Sequence, residues 1–205
     1  MVQTPAKPET ETLLLNLPRT LKLHVTSDQF VLLAASNRDL QLERTAQGEL
    51  IVNPPTGWQT GQQNSRISGE LYLWWRNAGE PGKVFDSSTG FTLPNNAIRS
   101  PDAAWVSQER CDTLTDEQKA TFAPICPDFV VELRSTSDTF KSLQEKMQEY
   151  LENGARLGWL INPKNRTVAV YRVGLETEVL TNPKQLSGEE VLPGFMLDLR
   201  RVWGE

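Results

Sequence analysis

The stretch from Pro127 to Asn162, PDFVVELRSTSDTFKSLQEKMQEYLENGARLGWLIN, decides how this chain folds. Phe129 to Leu133 is a short apolar run with β-branched residues, the pattern of a strand buried on both faces. Its one acidic member is Glu132, near the C-terminal end. A lone carboxylate in such a strand is costly unless it is paired, protonated or bound to a cation. Ser135 to Asp138 supply turn and N-cap residues. Phe140, Leu143, Met147, Tyr150 and Leu151 then recur at helical spacing, and Asn153-Gly154 ends the helix. Trp159-Leu160-Ile161 is the next buried strand, closed by Asn162-Pro163. Such a βαβ unit is right-handed with parallel strands. Ligands in open α/β sheets gather at the C-terminal strand ends, where Glu132 sits.

The composition narrows the class. At 205 residues the chain has room for one full core, expected over residues 21–205, with residues 1–20 as a polar, partly disordered arm. A 38 % hydrophobic and 23 % charged share is ordinary for a soluble globular protein. The net charge of −5 gives no global attraction to nucleic acid or anionic membrane, so any such binding must come from local patches. No apolar run approaches membrane-spanning length and no signal-peptide pattern opens the chain. Two cysteines, Cys111 and Cys126, argue against a disulfide framework and for a cytoplasmic address. The single histidine, His24, excludes a His-Cys zinc cluster unless carboxylates help, and reads as an ordinary, partly buried residue.

Outward from the central unit, Thr26-Ser27-Asp28-Gln29 predicts a capping box and a helix to about Ser36. Leu40 to Arg44 and Glu49 to Val52 predict a hairpin, and Gly61 to Ala78 an amphipathic helix. Lys83 to Asp86, Phe91 to Leu93 and the run after Asp102 read as short strands, with a short helix near Thr115 to Thr121. Thr167 to Arg172 and Glu178 to Thr181 make a second hairpin, and residues 188–203 are expected to finish the sheet. Leu13 to Leu17 reads as an apolar arm that docks on the body or on a partner. Trp74, Trp75, Trp105 and Trp159 sit on apolar faces and read as core.

Three groups carry candidate chemistry. Asp102 opens a strand after Pro101, Glu132 closes the buried strand, and Arg134 follows two residues later on the same face by alternation. Two carboxylates that converge make an oxygen site for Mg²⁺ or Mn²⁺, which can activate water and stabilise charge on a phosphate under attack. Arg134 and Lys146 are the candidate cations beside it. Lys141, Lys146, Arg156, Lys164 and Arg166 could form a basic rim for a phosphate backbone, although Lys164 and Arg166 also fit a solvated turn.

The runs Ser-Pro-Asp-Ala-Ala-Trp-Val, Pro-Asp-Phe-Val-Val-Glu-Leu-Arg-Ser, Glu-Lys-Met-Gln-Glu-Tyr, Asn-Gly-Ala-Arg-Leu-Gly-Trp-Leu-Ile and Leu-Pro-Gly-Phe, in this order, resemble the Uma2 family, also called DUF820. The resemblance covers about residues 25–203. It implies the α/β fold of the PD-(D/E)XK, restriction-endonuclease-like superfamily: a mixed central sheet flanked by helices, with added hairpins. It also implies a metal-dependent phosphodiesterase acting on nucleic acid, DNA first, often as a homodimer. Carried over by position, Asp102 and Glu132 match the metal-binding carboxylates. The superfamily's lysine two residues after the glutamate is Arg134 here, and Lys146 resembles a relocated lysine, with Gln144 nearby. The superfamily's early acidic residue has Glu70, or a polar substitute at Asn64, as its counterpart. An arginine cannot serve as a general base. A second reading is therefore a degenerate nuclease fold that serves as a nucleic-acid or protein interaction module. The acidic balance and the missing Glu-x-Lys favour that reading; Asp102 and Glu132 favour the enzyme.

Overall fold

The computed structural model describes residues 21–136 and 138–205; the expected arm at Leu13 to Leu17 lies outside them. Helix α1 (Ser27–Ser36) starts at the expected capping box: Thr26 Oγ1 accepts from the Gln29 amide at 3.2 Å and Gln29 Oε1 accepts from the Thr26 amide at 2.9 Å. Strands β1 (Gln41–Arg44) and β2 (Leu50–Asn53) pair as the expected hairpin, with Gly48 at φ 89° supplying the left-handed turn residue. Helix α2 (Trp58–Asn77) begins three residues before the expected Gly61. Then come β3 (Lys83–Asp86), β4 (Phe91–Thr92), β5 (Ile98–Arg99), β6 (Ala103–Val106), α3 (Gln108–Cys111) and α4 (Asp116–Lys119). The central unit is β7 (Phe129–Leu133), α5 (Phe140–Glu152) and β8 (Leu157–Asn162). It is followed by β9 (Thr167–Arg172), β10 (Glu178–Thr181), β11 (Gln185–Ser187), β12 (Met196–Asp198) and α6 (Leu199–Trp203).

The main sheet has six strands in the order β10-β9-β8-β7-β6-β3. Only β7 and β8 run parallel, as the crossover through α5 requires; the other neighbours are antiparallel, so the sheet is mixed. A second, four-stranded sheet runs β2-β1-β5-β4. The closing segment departs from expectation. Residues 188–203 do not extend the main sheet: β11 and β12 pair only with each other. The cause is apolar. Leu186, Leu192, Phe195, Leu197, Leu199 and Val202 are all buried, and they spend the segment on covering one face of the sheet.

Alternation along β7 splits the core. Phe129, Val131 and Leu133 pack with Trp159 and Ile161 against Ile67 and Leu71 of α2. Val130 points the other way, with Leu160 and Tyr171, toward Leu143, Met147 and Tyr150 of α5 and toward Phe91 and Leu93. Glu132 has the parity of Val130 and so faces α5. That helix lies close to the sheet because β8 carries Gly158, where a Cβ would collide with the Met147 side chain. Its first turn is capped by Thr139, whose Oγ1 accepts from the Ser142 amide at 3.2 Å. Among the described residues no helix is long and apolar enough to cross a membrane.

Candidate active site

Every residue of β7 is buried, so Glu132, 4 % exposed, must find its partners inside the protein. Met147 locks α5 on the sheet, and the preceding residue, Lys146, is thereby aimed across the strand end. Its Nζ lies 2.8 Å from Glu132 Oε1 and 2.8 Å from Glu43 Oε1, and it donates to the Ser100 carbonyl at 3.3 Å. One helical turn on, the Tyr150 hydroxyl donates to Glu132 Oε1 at 3.2 Å. Asp102 brackets Glu132 from the neighbouring strand. Its backbone N–H donates to the Val131 carbonyl at 2.9 Å, and its Oδ2 accepts from the Leu133 N–H at 2.7 Å. Its Oδ1 accepts from Asn64 Nδ2 of α2 at 2.7 Å.

Behind Lys146 the network continues. Glu43 accepts from the Ser100 amide and from Arg99 at 3.2 Å each. The Arg99 Nε donates to Glu149 at 2.6 Å, and Asn95 donates to the other oxygen of Glu149 at 2.9 Å. Three carboxyls, Glu43, Glu132 and Glu149, thus share two cations, Lys146 and Arg99, while Asp102 beside them is held by Asn64 and the Leu133 amide without a cation of its own. Fully ionised, the site is two positive charges short.

The shortage falls unequally. Burial works against the charge on Glu43, but Lys146 and Arg99 outweigh it and hold that carboxyl below the usual range. Burial pushes Asp102 up, against the bonds from Leu133 and Asn64. Glu132 suffers most. Burial, with the nearby charges of Asp102 and Glu43, lifts it to about 8 despite Lys146. Burial also opposes the charge on Lys146, but Glu132 and Glu43 hold its pKa well above the ordinary lysine range. In the metal-free site Glu132 is therefore the carboxyl on which burial and the neighbouring acids most favour a proton.

The donor set suits a hard cation. Asn64 Oδ1 is a buried oxygen without a hydrogen bond, next to the amide nitrogen that holds Asp102. The bonds from Lys146 and Tyr150 both fall on Oε1 of Glu132. Oxygen-only ligands select Mg²⁺ or Mn²⁺ over softer metals. Among the described residues no three His, Cys, Asp or Glu side chains converge on one point. The site opens into a cavity of about 1050 Å³, walled on one side by Pro54 to Trp58.

Of the residues singled out by sequence, Asp102, Glu132 and Lys146 come together here. Arg134 does not join them. Its guanidinium lies 5.8 Å from the ring centroid of Phe140, and its Nε is a buried nitrogen without a hydrogen bond. Glu70 is 3.5 Å from Arg201, whereas Asn64 bonds to Asp102. Gln144 is exposed. The basic rim does not assemble either. Lys141 pairs with Glu145, Arg166 pairs with Glu205, and Arg156 approaches Asp128 at the opposite end of β7. His24 is exposed, not partly buried. Glu43 is a member of the site that the alternation of Leu40 to Arg44 does not single out, since hydrophobicity alone would turn the leucines inward. Instead Leu40 is exposed and Glu43 is buried against Lys146 and Arg99. A carboxylate at the inward-facing slot of a hairpin opposite Ile51 was the available signal.

No curated protein matches this chain. A crystal structure described as "a putative nuclease belonging to DUF820 from Anabaena variabilis" shares its fold, with a TM-score of 0.68 and 21 % sequence identity over 80 % of this chain and 89 % of that one. The family model described as Uma2, "Putative restriction endonuclease", matches residues 27–200, a span that runs from α1 through the strand ends carrying Asp102 and Glu132 and into α6. On that match, the chain belongs to the Uma2 family.

Proposed function

We propose that this protein is a nuclease that hydrolyses phosphodiester bonds in DNA with Mg²⁺ or Mn²⁺. The observation that carries the reading is the charge count. With all four ionised, Glu43, Asp102, Glu132 and Glu149 exceed Lys146 and Arg99 by two charges, the charge of one divalent ion. Asp102 and Glu132 would hold that ion, with Asn64 Oδ1 as a neutral oxygen beside them. Bound there, it supplies an activated water and stabilises the charge that builds on the phosphate.

The chain's own groups set the stage for this chemistry. The Leu133 amide and Asn64 fix both oxygens of Asp102. The three donors of Lys146 are taken by Glu43, Glu132 and Ser100, so it acts as a positioning residue that aligns two carboxylates. It stays protonated and is no general base. Arg99 holds Glu43 from behind. The cavity wall is acidic, which repels a bare phosphate backbone and makes substrate binding depend on the cation.

Incubation of purified protein with supercoiled plasmid DNA tests the reading. Nicking or cutting is expected with Mg²⁺ or Mn²⁺ and not with EDTA, and Asp102→Asn and Glu132→Gln should each abolish it. Cleavage that persists in EDTA, or in both variants, overturns the assignment. Mn²⁺ binding without any cleavage leaves the interaction module.

A further inference from the structure

The chain has six tryptophans, and five are spent inside the protein. The indole N–H groups of Trp74, Trp75, Trp105 and Trp203 donate to the carbonyls of Pro193, Gly82, Pro81 and Pro183. Trp159 is 1 % exposed and stacks on Phe195 at 5.8 Å between centroids. Trp58 does neither. It is 88 % exposed, and among the described residues its ring meets no other aromatic ring or cation and its N–H has no acceptor. A large, rigid apolar ring left in water has no use in the fold.

Its position is informative. Trp58 is the first residue of α2, and it lines the same cavity as Asp102, Glu132 and Lys146. Pro54 and Pro55 precede it, and their fixed φ angles stiffen the loop that presents it. Asn64, which holds Asp102, is six residues further along α2, about 9 Å at 1.5 Å per residue. That is two to three steps of a stacked strand at about 3.4 Å each.

We propose that Trp58 is a stacking platform for an unpaired nucleobase two to three nucleotides from the phosphate that would be held through the ion at Asp102 and Glu132, so that the site takes single-stranded or locally opened nucleic acid. The inference rests on the nuclease reading for the position of the phosphate. A π-face suits a base because stacking is tolerant of sequence and needs no charge, and the acidic cavity wall offers little charge for the backbone. A paired base inside a duplex has both faces covered and cannot use the platform.

The test measures binding of a fluorescent oligothymidylate of about twelve nucleotides in Ca²⁺ by anisotropy. The competitors are an abasic chain of equal length and a closed hairpin duplex. Trp58→Ala is expected to weaken oligothymidylate binding about 5- to 150-fold. Trp58→Phe should keep most of the affinity, and neither variant should change the weaker binding of the abasic chain. Because the side chain is exposed, both variants should melt with the wild type. Equal affinity of wild type and Trp58→Ala overturns the proposal, as does failure of the wild type to bind oligothymidylate. Trp58-independent binding of the hairpin at equal strength also overturns it. If Trp58→Ala instead converts an oligomer to a monomer in sedimentation, the ring covers a second copy of the chain and the proposal falls. Plasmid cutting that survives while oligothymidylate affinity is indifferent to Trp58 leaves the nuclease reading standing and removes only the platform.

Discussion

Replacing Glu132 by glutamine removes one ionisable group from a site with two carboxyls too many for its cations. The size of the effect follows from linkage. In the unfolded chain a glutamate titrates near 4.5; in the folded, metal-free protein Glu132 is lifted to about 8. Between those values the unfolded state has lost the proton and the folded state keeps it. The unfolded state therefore binds fewer protons, and wild-type stability falls as pH rises through this window. The slope is about 1.4 kcal/mol per pH unit, and it flattens below the lower value and above the upper one. Glutamine does not titrate, so the stability gap between the variant and the wild type should widen with pH in the variant's favour. From about pH 5 to about pH 8 the widening amounts to roughly 4 kcal/mol at most. Any fixed loss from a weaker bond to Lys146 or Tyr150 shifts the whole gap but not its slope. Urea melts in EDTA at several pH values read it directly. A gap that is flat, or that moves toward the wild type as pH rises, means that Glu132 is already an ionised partner of Lys146 at pH 5, and the reasoning fails. With Mn²⁺ added, the wild-type penalty should shrink, because ion binding expels the proton, and the variant should show no such response.

Three further outcomes are expected. Lys146→Met strands Glu43 and Glu132 without their shared cation, and should lower stability by about 3–5 kcal/mol in urea melts and abolish cleavage, whereas Arg134→Ala should leave cleavage in place. A loss below about 1 kcal/mol would place the ammonium in solvent. Burial pushes the Cys126 thiol up to about 12, so it should resist alkylation by iodoacetamide at neutral pH and react only after unfolding; fast native labelling would contradict its burial. Leu21, Leu23, Val31 and Leu32 are all exposed near the start of the described chain, apolar surface that a second copy could cover. Light scattering should therefore show a two-fold homodimer whose interface buries at least about 1,000 Å², and a monomer at micromolar concentration would refute this.

The parts of this protein that sequence makes legible are those where period and chemistry agree. The β7-α5-β8 unit could be read because five apolar residues at helical spacing lie between two runs too apolar for anything but buried strands. Glu132 stood out because nothing else polar shares its strand. Asp102 could be found only with a motif in hand, since its importance comes from bonds to Asn64 and Leu133, 38 and 31 residues away. The closing segment misled because a short apolar run fits a sheet edge and a hairpin laid across the sheet face equally well; tertiary packing decides between them. Glu43 stayed hidden for a related reason. Alternation says that two faces differ, not which is inward, and hydrophobicity assigns the wrong face where an acid is buried for its charge.

The place of Lys146 on the helix rather than on the strand has a structural consequence. A lysine two residues after Glu132 would leave β7 beside the carboxylate and serve it alone. Arg134 occupies that position here and turns away toward Phe140. Lys146 instead approaches from α5, across the gap between helix and sheet. There its ammonium meets the β1 hairpin as well as the strand end, and Glu43 and Glu132 become two ends of one bridge. Arg99 of β5 extends that bridge to Glu149, three residues further along the same helix. The four-stranded sheet is thus tied to the site by charge as well as by packing against α5 and the main sheet. A change that loosens the β1-β2 hairpin should therefore reach Glu132 through Lys146, although the hairpin is far from β7 in sequence. It should also free an ammonium donor, which the intact bridge keeps away from any water or phosphate in the cavity.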